Sequence, residues 1–422
     1  MAFDFDLAVV GGGASGMAAA IAAGQDKRGG GQQNKIVILE SNSRVGKKLL
    51  ATGNGRCNLT NMGADASRYH GDADFLPSVF KQYSPGKIIE FFNSIGLVCR
   101  EQEEGRVYPY NLQASAVLDI LRLQLEQLGV ETICEFKVTG LKKIKDGFLI
   151  FSSDRRLSAR KVVLASGGMA YPQLGADAGG YDILKSLGHH CTVLYPALVQ
   201  VTSDPKRSKP LKGVRSFANA VLLAGGQAIR TVSGEVQFTE HGLSGICIFE
   251  LSRFIGELLG KKELVISLDL MPEYSLKQIL EILRRHSKLK SLPSADLLNG
   301  CLNKQLGSEV IRQALPNRPR LARELNERDL TAVAGMIKNF WFRVTGTLSW
   351  RDAQVTAGGI PLREVDQSLE SKCCPGLYLA GEILNIDGDC GGFNLHWAWC
   401  SGLLAGHSAA SSLLQSNMRG ME

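Results

Sequence analysis

The stretch Asp6-Leu-Ala-Val-Val-Gly-Gly-Gly-Ala-Ser-Gly16 decides the fold: an apolar run leads into a glycine turn and then into alanine-rich residues up to about Ala23. The apolar run predicts a buried strand, and the alanines predict a helix. A second apolar run, Ile36 to Leu39, ends in Glu40 after a polar, flexible connection at 26–35. Parallel strands need a helical crossover, so this end of the chain predicts a βαβ unit of a doubly wound α/β domain.

The glycines follow the pattern Gly11-x-Gly13-x-x-Gly16 between the strand and the helix. In that position, backbone N–H groups and the helix dipole face a pyrophosphate, and the missing side chains let it approach. Glu40 stands at the end of the second strand, where a carboxylate accepts hydrogen bonds from a ribose diol and disfavours a ribose phosphate. The pattern therefore predicts binding of FAD or NAD rather than NADP.

The other end of the chain favours FAD. Gly381-Glu382 follows a strand-like run, and Asp387-Gly-Asp-Cys-Gly-Gly-Phe-Asn-Leu395 precedes an apolar helix through Trp397 and Leu403. A second glycine turn at a helix N-terminus suits an extended cofactor, because the dipole stabilises negative charge on the pyrimidine end of a flavin. No second Gly-x-Gly-x-x-Gly unit follows a strand in the middle of the chain. Reduced nicotinamide, NAD(P)H, is therefore expected at most as a transient reductant.

The middle of the chain predicts an insertion. Residues 195–272 show short alternating strands and turn signals, whereas 273–345 carry helical spacing that starts at Leu276. We expect a discontinuous FAD-binding, Rossmann-like domain of residues 1–194 and 346–422, interrupted by a β-rich module and a small helical module.

Composition excludes several classes of protein. The 422 residues are 44% hydrophobic and 21% charged, as in an ordinary soluble α/β protein. No apolar run reaches the length of a membrane span, and the first six residues contain Asp4 and Asp6 but no Lys or Arg, which disfavours a targeting peptide. These features predict a cytoplasmic location. The ten cysteines include no CxxC pair, so neither a zinc ribbon nor a dithiol motif is predicted, and we expect no metal site.

Basic residues concentrate in the insertion. Residues 196–345 hold 22 Lys and Arg against 14 Asp and Glu, and a basic cluster is formed by Lys206, Arg207, Lys209, Lys212 and Arg215. Such an excess attracts RNA or an anionic substrate, although a solvated surface is the commoner reason and stacking aromatics are sparse there. The leading hypothesis is an FAD oxidoreductase that oxidises an amine or alcohol or reduces a conjugated double bond in a small or medium organic molecule. An RNA-modifying flavoprotein and a redox sensor without turnover are the alternatives.

Five motifs, taken in order along the chain, indicate a resemblance to a known protein family. They are GKKLLATGNGRCNLTN at 46–61, VVLASGGMAYPQLGADAGGY at 162–181, GEVQFTEHGLSG at 234–245, VTAGGI at 355–360 and GLYLAGEILNIDGDCGGFNLHWAWCSG at 376–402. In this order, and over nearly the whole chain, they resemble the BaiN-like or aminoacetone-oxidase-like family of FAD-dependent oxidoreductases. The resemblance implies an FAD domain interrupted by a β-barrel-like insert and a small helical bundle.

The resemblance also implies which residues hold FAD. Together with the glycine patterns, it assigns cofactor contacts to Gly11, Gly13, Ala14, Ser15, Gly16, Glu40, Lys47, Lys48, Thr52, Gly53, Asn54, Gly55, Arg56, Cys57, Asn58, Val138, Ala165, Ser166, Gly167, Gly168, Gly381, Glu382, Asp387, Gly391, Gly392, Phe393, Asn394 and Leu395. Val138, in the strand-like run Phe136 to Thr139, matches the position whose backbone holds the adenine. His396 departs from the glutamine common in the family.

Four side chains are candidates for proton transfer or substrate binding. His396 follows the second glycine turn, and His241 lies on a turn of the insert that we expect to cover the flavin. Arg106 and Tyr108 lie in a proline-stiffened loop suited to an anionic or carbonyl substrate. Cys57 has no partner thiol nearby in sequence, which disfavours a disulfide-reductase mechanism. The oligomeric state is not predicted.

Overall fold

The computed structural model describes residues 3–26 and 34–419, without the side chains of 416–419. Most of the connection predicted to be flexible, 26–35, lies outside the described residues. The chain divides into two compact units. We call residues 1–195 and 355–422 the Rossmann-like unit, and residues 196–354 the barrel unit.

The described residues form strands and α-helices, numbered in chain order. The strands are β1 Phe5–Val10, β2 Ile36–Leu39, β3 Thr60–Asn61, β4 Tyr69–Gly71, β5 Cys99–Glu101, β6 Arg106–Pro109, β7 Glu131–Ile133, β8 Gly140–Ile144, β9 Gly147–Phe151, β10 Arg156–Leu164, β11 Tyr195–Ala197, β12 Val201–Ser203, β13 Arg215–Ala224, β14 Gln227–Thr239, β15 Gly242–Ser244, β16 Leu264–Asp269, β17 Phe340–Thr347, β18 Val355–Ala357, β19 Leu377–Leu379 and β20 Ile386–Gly388. The α-helices are α1 Ala14–Gln25, α2 Lys47–Ala51, α3 Leu76–Gln82, α4 Pro85–Ser94, α5 Ala114–Gln127, α6 Gly179–Ser186, α7 Pro205–Ser208, α8 Ile246–Leu258, α9 Leu276–Ser287, α10 Lys304–Ala314, α11 Glu327–Lys338 and α12 Phe393–Arg419.

A seven-stranded sheet forms the centre of the Rossmann-like unit. Its strands lie in the order β7-β2-β1-β10-β9-β8, and β19 pairs with β10. β1 is parallel to β2 and to β10, and β10 is parallel to β19, whereas β8 and β9 are antiparallel. The runs in β1 and β2 are almost wholly buried, as expected for central parallel strands covered on both faces. The predicted Rossmann-like α/β fold is confirmed.

Helices α1 and α12 pack closely because their contact consists of small residues. A Cβ on Gly402 would lie 2.3 Å from the carbonyl oxygen of Ser15, and one on Gly406 would lie 2.1 Å from that of Ala19. Any larger residue at these glycines would force the helices apart. The contact holds α12 against the N-terminal part of α1, which follows the first glycine turn.

The barrel unit contains a closed six-stranded barrel. Its strand order is β12-β15-β14-β13-β16-β17, and its interior belongs to a separate hydrophobic core with Phe238, Phe340 and Phe342. Helices α9, α10 and α11 are inserted between β16 and β17, and the capping box of Ser275 and Gln278 starts α9. The predicted border between the β-rich module and the helical module, at 272/273, lies in the connection between β16 and β17. The sixth strand of the barrel, β17, follows the helices.

Three local predictions differ from the structure. Residues 246–258, predicted within a β-rich region, form α8, whose buried Cys247, Leu251 and Ile255 recur at helical spacing. Val138 lies outside the strands, in the connection between β7 and β8. β17 alternates buried and exposed residues, a period of two within a segment predicted to be helical. Among the described residues, no helix is long and apolar enough to cross a membrane.

Candidate active site

The first glycine turn joins β1, β2 and β10. Gly11 donates its N–H to the carbonyl of Leu39 at 2.8 Å and has a φ of +102°. A Cβ on Gly11 would lie 2.5 Å from the carbonyl oxygen of Ala165, and one on Gly16 would lie 1.9 Å from that of Gly11. Only glycine fits at these two positions, so the turn lies directly on the strand ends.

Gly13 marks the open side of this turn. It precedes α1 as the N-cap residue with ordinary extended backbone, and a Cβ there would meet nothing within 4 Å. No side chain of the described residues caps α1, and its first turn, which starts at Ala14 and Ser15, holds no acidic residue. A free helix N-terminus beside open space is what a pyrophosphate requires.

Glu40 is buried, and its carboxylate accepts a hydrogen bond from the first glycine turn. Its Oε2 accepts from the Gly12 N–H at 2.8 Å, while its Oε1 accepts from the backbone and side-chain nitrogens of Asn42 at 2.7 and 2.8 Å and from Ser41. A carboxylate has about four lone-pair sites. Oε2 accepts one hydrogen bond among the described residues, so its second lone pair could accept from a ribose hydroxyl, as predicted from sequence.

The glycine-rich segment after β2 makes several tight turns. Lys47 and Lys48 begin α2, Lys47 Nζ lies 3.2 Å from Asn42 Oδ1, and Thr52 Oγ1 donates to the carbonyl of Leu49 at 2.6 Å. The next residues have left-handed backbone at Gly53, Asn54, Gly55 and Cys57. This backbone turns the segment back toward β3.

Cys57 and Asn58 close that segment and are both buried. Burial raises the pKa of the Cys57 thiol to about 12, so it stays protonated and unreactive at neutral pH. Asn58 Oδ1 is buried without a hydrogen-bond partner among the described residues. A polar atom in that state points to an absent ligand group.

The turn after β10 is the third element of the site. Ser166 Oγ is also buried without a partner among the described residues, and Gly167 has a φ of +76°, where an added Cβ would meet nothing within 4 Å. A Cβ on Gly168 would lie 2.4 Å from Thr356 Oγ1. Thr356 Oγ1 in turn accepts from the N–H groups of Met169 and Ala170. The turn therefore combines an open glycine with a serine whose buried hydroxyl lies against Gly180 of α6.

A chain of polar contacts links these turns. Lys48 Nζ lies 2.8 Å from Glu382 Oε2, and Glu382 Oε1 accepts from the Thr356 N–H at 2.8 Å. Gly381 has a φ of +81°, and its N–H donates to Ser401 Oγ at 2.9 Å. Residues predicted to serve one cofactor are thus joined directly, and Thr356, which the sequence analysis missed, connects two of the turns.

The second glycine turn opens α12. Gly391 and Gly392 have φ values of +128° and +102°, and a Cβ on Gly392 would lie 2.7 Å from the carbonyl oxygen of Thr60. Asn394 exchanges hydrogen bonds with the backbone of Gly388 at 2.8 Å, which fixes the turn. Asn61 Nδ2 donates to the carbonyl of Gly391 at 2.9 Å. Thr60 and Asn61 were missed, although they end the 46–61 motif.

The remaining predicted cofactor residues lie around these turns. Asp387 is buried within β20, which pairs with β4, and Phe393 is buried at the start of α12. Leu395 packs partly buried against the core. Val138 is buried, and the nearby Phe136 N–H donates to the carbonyl of Glu40. The last contact brings the predicted adenine segment to the end of β2.

The four catalytic candidates lie in different settings. His396 is fully buried, with Nδ1 2.8 Å from Thr60 Oγ1 and Nε2 3.4 Å from Cys400 Sγ. Burial lowers its pKa to about 3, so it is neutral and enclosed, which disfavours the predicted catalytic role. His241 lies exposed on the turn between β14 and β15 of the barrel unit.

Arg106 and Tyr108 lie on β6 of the Rossmann-like unit. Arg106 pairs with Glu104, its side chain is 24% exposed, and its Nε lies 3.7 Å from the position of a Cβ on Gly391. Tyr108 is buried, and the Arg56 guanidinium lies over its ring at 5.1 Å. Of the two cationic groups, the Arg106 guanidinium lies beside the second glycine turn.

The described residues fit FAD. Two glycine turns begin long helices, Gly13 and Gly167 leave open space, and Asn58 and Ser166 hold buried polar atoms without partners. The two atoms lie on the segment after β2 and on the turn after β10, which are linked through Lys48, Glu382 and Thr356. An extended cofactor with hydrogen-bonding groups along its length accounts for all of these features.

Comparisons with known proteins identify the family of the chain. The family described as HI0933-like protein Rossmann domain matches residues 5–408. The 3-dehydro-bile acid delta(4,6)-reductase of Clostridium scindens is 38% identical over 385 residues, which cover 89% of this chain and 93% of that protein. The ribosomal RNA dihydrouridine synthase of Escherichia coli is 27% identical over 374 residues, covering 87% and 90%.

A solved structure shares the fold. The 3-ketosteroid delta1-dehydrogenase from Sterolibacterium denitrificans, in complex with 1,4-androstadiene-3,17-dione, superposes with a TM-score of 0.51 at 14% identity, over 97% of this chain and 99% of that one. The match to the family extends through both units. The chain therefore belongs to the HI0933-like Rossmann family of FAD-dependent oxidoreductases.

Proposed function

We propose that the protein reduces a carbon–carbon double bond conjugated to a carbonyl group in a small or medium organic molecule. The observation that carries this proposal is the 38% identity, over nearly the full length of both chains, to a reductase whose name specifies delta(4,6) bonds of a 3-dehydro bile acid. Of the two reactions considered from sequence, this relative favours reduction over amine or alcohol oxidation.

Bound FAD supplies hydride transfer. The amides at Gly13 and the N-terminus of α1 would hold its pyrophosphate, and the remaining lone pair of Glu40 would hold its ribose. Asn58 Oδ1 and Ser166 Oγ, which have no partner among the described residues, would form hydrogen bonds with the central part of FAD. The N-terminus of α12, at Gly392, would favour negative charge next to it.

The chain's own contribution to the chemistry is binding and polarisation of the substrate. The Arg106 guanidinium, partly exposed beside Gly391, would orient a carbonyl or carboxylate by charge-assisted hydrogen bonds. Polarising the carbonyl makes the conjugated carbon a better hydride acceptor. Tyr108 is the nearby hydroxyl group that could deliver a proton, since buried His396 is enclosed by Thr60 and Cys400.

The electron source is proposed to be NAD(P)H, which docks transiently. The absence of a second glycine motif in the sequence supports transient docking over a dedicated nicotinamide domain. Anaerobic mixing with NADH or NADPH should bleach the flavin absorbance, and a 3-oxo steroid with a conjugated double bond should restore it. Restoration by oxygen alone, combined with bleaching by an amine or alcohol, would contradict the proposal.

A second candidate is reduction of a base in RNA. The 27% identity to a ribosomal RNA dihydrouridine synthase favours it, as does the excess of Lys and Arg in residues 196–345. However, Lys212 and Arg215 of the basic cluster pair with Glu240 and Glu235. Salt-dependent retention of the protein on ribosomal RNA would support this candidate.

A further inference from the structure

A second cluster of reactive side chains lies in the Rossmann-like unit. His189 and His190 follow α6, Glu364 ends a short turn, and Cys373 precedes β19. In the part of the chain that the structure describes, His189, Glu364 and Cys373 form the one group of three whose metal-ligating atoms all lie within 4.8 Å of one another. None of these residues belongs to the glycine turns.

The geometry centres on Glu364. Its Oε2 lies 2.8 Å from His189 Nδ1, and its Oε1 lies 2.9 Å from His190 Nδ1. The His190 N–H also donates to this carboxylate at 3.0 Å. Although burial alone raises the pKa of Glu364, the hydrogen bonds from both histidines hold it below its ordinary value. The carboxylate therefore stays charged, although only 10% of the Glu364 side chain is exposed.

The donor set matches zinc. One imidazole nitrogen, one carboxylate oxygen and one thiolate sulfur are the three ligand types that zinc accepts, and thiolate disfavours magnesium and calcium. Tetrahedral zinc at ordinary bond lengths holds its ligand atoms roughly 3.3 to 3.7 Å apart. Since the three atoms already lie within 4.8 Å, side-chain shifts of about an ångström suffice to close the site.

The surroundings of His189 also match a metal ligand. Its Nε2 lies 2.8 Å from Ser371 Oγ, which accepts in turn from the Cys374 N–H at 2.8 Å. A hydrogen bond of this kind fixes the ring and leaves Nδ1 to face the ion. Cys373 is exposed, so an ion can enter from solvent.

We propose that His189 Nδ1, Glu364 Oε2 and Cys373 Sγ bind one zinc ion, with water as the fourth ligand. Zinc binding to neutral His189 requires its Nδ1 proton to move to Nε2, which then donates to Ser371 Oγ, while the proton of the Cys373 thiol passes to solvent. The ion would tie the segment after α6 to the segment before β19. The sequence analysis expects no metal site because no CxxC pair is present, whereas His189 and Glu364, 175 positions apart, form no local pattern.

The test titrates Co²⁺ and then Zn²⁺ into the chelator-treated, FAD-containing protein. One equivalent of Co²⁺ should produce a thiolate-to-cobalt charge-transfer band in the difference spectrum, and Zn²⁺ should abolish it. Cys373→Ser should lose the band and bind Zn²⁺ at least tenfold more weakly, with unchanged FAD content. The matched controls Cys99→Ser and Cys374→Ser should keep both properties.

Thermal unfolding provides an independent readout. Excess Zn²⁺ should raise the Tm of the wild-type protein and of Cys99→Ser by about 4 °C, and should leave Cys373→Ser unchanged. The proposal is overturned if no charge-transfer band appears, if Cys373→Ser binds Zn²⁺ like the wild type, or if Cys374→Ser rather than Cys373→Ser loses the band.

Discussion

Lys48 and Glu382 form an ion pair of 2.8 Å across 334 positions of the chain. Lys48 belongs to the segment after β2, and Glu382 follows β19, so the pair joins two of the segments that we expect to hold FAD. Glu382 also accepts from the Thr356 N–H, and Thr356 supports the turn after β10. The relative positions of three cofactor segments therefore depend on one carboxylate.

This relationship predicts coupling between the two residues. Lys48→Met and Glu382→Gln should each weaken FAD binding by about five- to thirtyfold, and the double variant should lose less than the product of the two. The expected coupling is about 0.5–1.5 kcal/mol, because both side chains are partly exposed, at 32% and 20%. FAD titration of the four proteins measures it. Strictly additive losses would show that the pair is incidental.

Gly13 provides a test that separates binding from folding. Because a Cβ there meets nothing within 4 Å and its φ is ordinary, Gly13→Ala should leave the unfolding free energy within about 0.5 kcal/mol of wild type. It should weaken FAD binding at least tenfold, since the methyl group would occupy the space of the pyrophosphate.

The matched control for this test is Gly335→Ala. Gly335 lies in α11 of the barrel unit, where a Cβ also meets nothing within 4 Å. This substitution should stabilise the helix by about 0.5–1 kcal/mol without changing FAD affinity. Equal FAD affinity for both alanine variants would contradict the assignment of the first glycine turn.

His396 predicts a distinct pH dependence of stability. Its folded-state pKa of about 3 lies below the ordinary 6.5, so the unfolded chain binds a proton that the folded protein does not. The stability that neutral His396 provides is complete above pH 6.5 and is lost as the pH falls from 6.5 toward 3. The slope from this residue approaches about 1.4 kcal/mol per pH unit.

Urea unfolding at pH 7, 6 and 5 measures this slope. His396→Gln should be less stable than wild type at pH 7, since it loses the contact with Thr60, and the difference should shrink at lower pH. Exposed His241→Gln is the control and should follow the wild-type curve. A stability difference between His396→Gln and wild type that does not depend on pH would refute the buried neutral state.

Arg106 is predicted to act on substrate and not on the cofactor. Arg106→Gln should lower kcat/KM by about ten- to a hundredfold while FAD content stays constant, because a charged contact to the substrate is lost. Arg160→Gln is the matched control: Arg160 is 27% exposed and also pairs with a carboxylate, Asp6. Steady-state kinetics with unchanged activity in Arg106→Gln would show that substrate binds elsewhere.

Much of the fold could be predicted from local patterns. A short local pattern predicts the βαβ unit: the apolar runs of β1 and β2 and the glycines at 11–16. The predictions of the family, of the α/β fold with its barrel, and of FAD are confirmed. The predicted site residues could be placed by motif because each glycine turn follows a strand. Their individual roles remain predictions.

Other features depend on contacts between distant residues. His396 follows a flavin-type turn in sequence, but Thr60 and Cys400 enclose it, which no local pattern reveals. Thr356 acquires its role only through Glu382 and the turn after β10. Likewise, α8 is not predicted from the sequence, because its helical spacing lies in a region dominated by strand patterns. Burial and long-range pairing decide these cases, and neither can be deduced from a single short segment.

Product mass from a single turnover tests the central claim most directly. The protein, with its FAD content measured, is reduced anaerobically with one equivalent of NADPH or NADH and mixed with a 3-oxo steroid that carries a conjugated double bond. FAD-dependent reduction predicts one product per FAD, heavier than the substrate by two hydrogen atoms. A product lighter by two hydrogen atoms, or an unchanged steroid with FAD still reduced, would contradict it.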